Sequence, residues 1–322
     1  MPNAQIDVTA GAPNPESYTD HGNGTVTDNV TGLVWQQVVS PTIYTESASL
    51  VYCAGLSLGG YKDWRLPSVM ELMSIVDPGQ FSSSIDDMIF PDTPSSFFWS
   101  STPCAGATGN VWSVVFDIGA PSYAGVLESG YARCVRTGTA VAGDAAVSDA
   151  TTGDAAFSDA TAGDAAAASD APAGDATAGD AAAATDATAG DATAGDAAAP
   201  AGHYTIANGT VYDPGTKLTW QQAISSSTYT QADAATYCSA LGLNGATWRV
   251  PTVKELLTIV DFTVPSPGPT VDSTAFPGTA ADHSWSATPY AGAPGDGWFV
   301  SFSTGFSDYG LMSSTSYVRC VH

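Results

Sequence analysis

Basic side chains are scarce in this sequence: eight Lys and Arg stand against thirty-two Asp and Glu, for a formal net charge of −24. A surface that grips polyanions needs a basic patch, so nucleic acid is not expected as a partner. Long apolar runs are missing as well, and none approaches the roughly 20 residues that cross a bilayer. No membrane span is therefore expected. The opening stretch, Met1 to Asp7, lacks the charged and apolar regions of a secretory signal. On that basis the chain is either cytosolic or a mature form carrying a start Met. Histidine is limited to His21, His203, His283 and His322, which are scattered without metal-ligand spacing.

What is abundant is repetition. Asn23-Gly24-Thr25-Val26-Thr27-Asp28 returns as Asn208-Gly209-Thr210-Val211-Tyr212-Asp213, and Leu33-Val34-Trp35-Gln36-Gln37 as Leu218-Thr219-Trp220-Gln221-Gln222. Trp64-Arg65-Leu66-Pro67 is matched by Trp248-Arg249-Val250-Pro251, Trp99-Ser100 by Trp285-Ser286, and Arg133-Cys134-Val135 by Arg319-Cys320-Val321. Order is kept throughout and the offset stays between 184 and 186, so the chain is a duplication. Residues 1–138 form the first copy and 202–322 the second.

Between them, residues 139–201 consist almost wholly of Ala, Asp, Gly, Thr and Ser, with eleven carboxylates and no base. Such a segment cannot bury enough apolar surface to offset the entropy of ordering it. It reads as a disordered linker. As a flexible coil of about 60 residues it would hold its ends about 40–50 Å apart, with the two copies folding separately and moving independently.

Within each copy the pattern is that of an α+β domain. Thr25–Asp28 and Leu33–Trp35 flank the turn-formers Asn29 to Gly32, as a hairpin does. Thr45 stands as an N-cap before Glu46 and a helical run that ends at Gly55. Ser68 with Glu71 three residues on has the form of a capping box, opening a second helix with Val69, Leu72 and Met73 inside. Residues 111–118 and 131–135 close the domain as strands.

Five cysteines reduce to a simple pattern when the copies are superposed. Cys53 falls on Cys238 and Cys134 on Cys320, whereas Cys104 stands opposite Tyr290. One bridge per copy is the economical inference, with Cys104 left as a free thiol, and two reduced buried thiols per copy are the alternative. Bridges would place the chain in an oxidising compartment.

The run Gly24 to Trp35, then Asp63-Trp64-Arg65-Leu66-Pro67 to Asp77, then Phe98 to Thr102, then Arg133-Cys134-Val135 resembles the domain family named after the C-terminal domain of the Legionella collagen-like protein. The resemblance covers nearly all of each copy. It implies a bacterial envelope or secreted protein with two C-type lectin-like domains, two helices packed on short antiparallel sheets. It also implies the pairs Cys53–Cys134 and Cys238–Cys320. The founding protein is an adhesin associated with sulfated glycosaminoglycans, but each copy here is acidic with only four basic residues, so that ligand is not carried over. The Glu-Pro-Asn and Trp-Asn-Asp motifs of calcium-dependent lectins are absent.

Trp35, Trp64, Trp99 and Trp112 with their counterparts Trp220, Trp248, Trp285 and Trp298 fit core packing better than a sugar platform. Arg65, Arg133, Arg249 and Arg319 fit internal ion pairs and carbonyl contacts. No nucleophile with a base and orienting group appears in both copies, so no enzyme and no cofactor are expected. Recognition is instead expected where the copies differ, on loops. Pro78–Phe97 carries Asp86, Asp87 and Asp92, and its counterpart Phe262–Ser284 carries Asp272, Asp282 and His283. A shorter pair carries Tyr123 and Glu128, and Asp308 and Tyr309. The Asp clusters admit a calcium ion, though no motif supports one. The resulting expectation is a non-enzymatic binding or adhesion protein, extracellular or at the cell surface, that recognises a glycan or protein. The alternative is a self-associating subunit of an appendage, filament or matrix.

Overall fold

The computed structural model describes residues 1–138 and 203–322, and the segment read as a linker lies outside the described residues. Each repeat is built from short helices and small antiparallel sheets. In the first, α1 (Gln5–Thr9) and β1 (Tyr18–Asp20) precede the hairpin β2 (Thr25–Asp28) and β3 (Leu33–Gln36). Then follow α2 (Glu46–Ala54), α3 (Val69–Ser74), β4 (Phe97–Pro103), β5 (Asn110–Val115), β6 (Ala120–Gly125) and β7 (Val135–Thr137). The second runs β8 (Thr205–Ala207), β9 (Thr210–Asp213), β10 (Leu218–Gln221), α4 (Gln231–Ser239), α5 (Val253–Leu257), β11 (His283–Pro289), β12 (Asp296–Ser301) and β13 (Ser307–Leu311). The sheets have the order β1-β2-β3-β7 and β4-β5-β6 in repeat 1, and β8-β9-β10 and β11-β12-β13 in repeat 2.

Local chemistry accounts for these elements. Asp28 closes the hairpin turn by accepting from the amides of Val30 and Thr31 and from the Thr31 hydroxyl, and Asp213 does the same for Gly215 and Thr216. Thr45 and Thr230 cap α2 and α4. Full capping boxes, Ser68 with Glu71 and Thr252 with Glu255, start α3 and α5, and the same glutamates pair with Arg65 and Arg249. The Trp-Gln-Gln motif has a structural reason. Gln36 donates to the Tyr52 hydroxyl and accepts from the amide of Cys134, tying β3 to α2 and to the bridged cysteine just before β7, and Gln221 repeats both bonds with Tyr237 and Cys320.

Cys53 is bonded to Cys134 and Cys238 to Cys320, while Cys104 is free and half-buried. Each bridge sits in a small apolar cluster of its own repeat, with Trp64, Leu66 and Trp99 in the first and Trp248, Val250 and Trp285 in the second. All eight tryptophans are buried. Truncating a core Trp costs roughly 3–5 kcal/mol, so they dominate the stability of these small domains.

The larger core does not stop at the repeat boundary. One continuous cluster holds Val26, Trp35, Leu72 and Phe116 of repeat 1 together with Val211, Trp220, Leu256 and Phe302 of repeat 2. This differs from the expectation of two bodies moving independently. The physical reason is a set of contacts that the superposed motifs conceal, led by a residue that differs between the copies. Lys254, fully buried, occupies the position that Met70 holds in repeat 1, and its ammonium donates to the carbonyls of Pro2 and Ser74 and to Glu16. The segment around α1 lies against repeat 2: Thr252 donates to Asn3 at 3.1 Å, and Thr288 donates to Asp7 at 2.6 Å. Gly106, at φ +74°, allows a close approach, since a Cβ there would stand 2.6 Å from the Pro265 Cβ.

Candidate functional site

The long loops are held at their bases by the two buried arginines. Arg133 donates to the carbonyls of Gln36 and Gln37 and to the hydroxyl of Thr93, with its guanidinium over the Phe90 ring at 4.9 Å. Arg319 makes the same set with Gln221, Gln222 and Thr279, over Phe276 at 4.6 Å. Neither has a carboxylate partner among these contacts. Burial pushes each guanidinium down to about 9, which still leaves it charged at neutral pH. A buried charge without a counter-ion persists when fixed carbonyl dipoles surround it. The consequence is a loop with a rigid base.

Several of the loop acids have structural duties. Asp86 accepts from the amides of Met88 and Ile89, and Asp272 from those of Thr274 and Ala275, so the pair builds one turn in both repeats. Asp87 accepts from the Ser83 hydroxyl. Asp92 is exposed with φ +56°, where repeat 2 has Gly278 at φ +69°. Asp282 accepts from the amide of His283, whose ring lies 4.3 Å from Phe299. Glu128 accepts from the amide of Gly125, and Asp308 from that of Tyr309. Among the described residues no three His, Cys, Asp or Glu side chains converge to hold an ion. What the Asp86 turn presents outward is Met88, 91% exposed.

Tyr123 and Tyr309 are not loop residues. They stand in β6 and β13, opposite Trp112 of β5 and Trp298 of β12 in the strand register. The ring packing around them is the main feature that sequence reasoning missed. In repeat 2, Tyr290 stacks on Tyr309 at 3.7 Å with the planes 9° apart, and meets Trp298 edge-on at 5.3 Å. In repeat 1 the same position is Cys104, and no ring is supplied from within the repeat. Phe306 of repeat 2 stacks instead on Tyr123 at 5.4 Å and meets Trp112 at 5.0 Å, while Phe262 reaches Trp112 at 4.8 Å. The mismatch between Cys104 and Tyr290 was the available signal in the sequence.

The repeats thus offer two kinds of surface: loop tips on rigid bases, and an aromatic seam. No helix among the described residues is long and apolar enough to cross a membrane. No curated protein matches the chain. The profile of the Lcl C-terminal domain family matches residues 24–136 and 209–322, and the chain belongs to that family as two tandem copies. Residues 1–23, which include α1 and its contacts with repeat 2, lie outside the match.

Proposed function

We propose that this tandem member of the Lcl C-terminal domain family is a non-enzymatic extracellular or cell-surface binding protein, whose two lectin-like repeats act as one rigid recognition body. The family is of a surface and adhesion type. Two disulfides fit an oxidising compartment. The observation that carries the reading is the loop pinned by Arg133 through Thr93, with Met88 projecting from the Asp86 turn. A rigid base with an exposed apolar tip lowers the ordering cost of binding. Asp86 and Asp272 each accept two backbone amides through one carboxylate oxygen and shape the turns, and the recognition proposed here is calcium-independent.

The test is binding of the full chain, shown to be monomeric by light scattering, to arrays of surface glycans and extracellular proteins. Saturable binding is expected, unchanged by a calcium chelator and weakened at least about tenfold by Met88→Asp, the loss of one well-buried anchor. Concentration-dependent assembly with no binding would replace this reading with that of a self-associating structural subunit. Turnover in a broad hydrolase screen would replace it with an enzyme.

A further inference from the structure

The duplication contains an internal comparison for one site. In repeat 2 the Tyr290 ring lies between Tyr309 and Trp298 and over Gly292, where a Cβ would stand 2.6 Å from the ring. Burial, and then the hydrogen bond with Tyr309, push its phenol up to about 12, so the ring is neutral. Repeat 1 keeps Trp112, Tyr123 and Gly106 but replaces the ring with Cys104, and Phe81, which meets Tyr290 edge-on at 6.0 Å, is matched here by Pro265. Phe306 and Pro265 of repeat 2 enter this space without filling it. A cavity of about 180 Å³ remains, bounded chiefly by Cys104, Trp112, Tyr123, Phe262 and Phe306.

We infer that this cavity is a binding site for a small molecule carrying one neutral aromatic ring of phenol size. Its volume is that of a single ring, since apolar cavities of roughly 150 Å³ in other proteins take up benzene. Its walls are rings already arranged to stack and to meet an edge, which favours an aromatic guest over an aliphatic ring of equal size. No acidic or basic side chain lines it, so an ionised guest would lose its hydration without a counter-ion. Burial also pushes the Cys104 thiol up, away from the thiolate. The polar side-chain atoms of the lining are few: the Cys104 thiol, the hydroxyls of Tyr123, Ser266 and Thr304, and the unpartnered indole N–H of Trp112, a set that can serve the one hydroxyl of a phenol but not the whole hydroxyl rim of a pyranose. The site lies at the seam and is separate from the loop tips, so it stands or falls independently of the recognition function.

Cys104 supplies the readout, being the one cysteine outside the two bridges. Its rate of alkylation by a neutral reagent is measured on the full-length, unreduced chain with phenol or p-cresol, and with cyclohexanol or benzoate as controls. The phenols are expected to slow the reaction about tenfold at ten times their dissociation constant, following simple occupancy, and the controls to leave it unchanged. In saturation-transfer NMR, phenol should still bind Cys104→Ala and should no longer bind Cys104→Phe, which restores a ring from within the repeat. An unchanged alkylation rate at millimolar phenol with native circular dichroism would overturn the site. Equal protection by cyclohexanol would overturn its aromatic preference, and protection by a tyrosine-bearing peptide alone would overturn the small-molecule assignment. Should Cys104→Phe not fold, the alkylation of the unaltered chain decides.

Discussion

The Nζ of Lys254 donates a 3.1 Å hydrogen bond to the carbonyl oxygen of Ser74, joining α5 of one repeat to the last residue of α3 in the other. A helix leaves its last carbonyls without intrahelical partners, and these carry the negative end of its dipole. Lys254 answers that need from the neighbouring repeat. At the same position repeat 1 has Met70, which cannot return the contact.

Removing the ammonium should therefore loosen the seam. Lys254→Met leaves Glu16, already held above the usual carboxylate range by burial, without its nearest cation. We expect a loss of about 3 kcal/mol in urea unfolding. Adding Glu16→Gln should recover part of it, and a midpoint unchanged by Lys254→Met would show that the seam does not depend on this residue.

Arg133 offers a second test. Lysine carries the same charge but has no planar fork to span Gln36, Gln37 and Thr93. Arg133→Lys should cost about 2–3 kcal/mol, and Arg319→Lys about as much. Hydrogen exchange of residues 84–93 should rise in the first variant and stay unchanged in the second. Equal exchange in both would mean that the arginines do not act on their own loops.

The bridges close long loops, with sequence separations of 81 and 82 residues. By loop-closure entropy each is worth about 4 kcal/mol. Replacing both cysteines of one pair with Ala should lower the denaturant midpoint by a matching amount. A shift below about 1 kcal/mol would mean that the unfolded chain is already compact.

Asp7 gives the seam a pH dependence. Burial outweighs the hydrogen bond from Thr288 and raises its carboxyl from 3.8 to about 6. The folded chain then holds this proton more tightly than the unfolded one, so Asp7 adds stability as pH falls from about 6 towards 4 and detracts from it above 6. The shift bounds the effect at about 3 kcal/mol. Asp7→Asn should be more stable than the parent near pH 7, with the difference vanishing near pH 4. Asp63, whose hydrogen bond from Arg136 holds it below the usual carboxylate range, acts oppositely but equally in both proteins. A constant difference across this range would exclude Asp7 as the titrating group.

The elements legible in the sequence are those written by local rules. Thr45, Ser68 and Glu71 announce two helices, the Asn29–Gly32 turn announces a hairpin, and the superposed cysteines announce two pairs. α1 and β1 are not legible, because Gln5–Thr9 is too short for a periodicity and its capping residue, Ala4, makes no side-chain cap. Tyr123 and Tyr309 read as loop residues because polar and small neighbours, as in Pro121-Ser122-Tyr123, mask a strand whose partner is Trp112. The seam was hidden for a different reason. Superposing the copies draws the eye to what they share, whereas Lys254, Phe262 and Phe306 hold the repeats together through side chains that Met70, Pro78 and Ala120 do not have.

The exchange of a ring at Cys104 has a further consequence for the chain as a duplicated object. Two first repeats placed together in this way would present Ala120 where Phe306 is needed, and two second repeats would find Tyr290 already seated. The halves have become plug and socket, and the contact has a direction that the ancestral symmetry lacked. A chain that seats Phe306 of one repeat against Trp112 of the other makes this contact within itself, so the contact needs no second molecule to complete it.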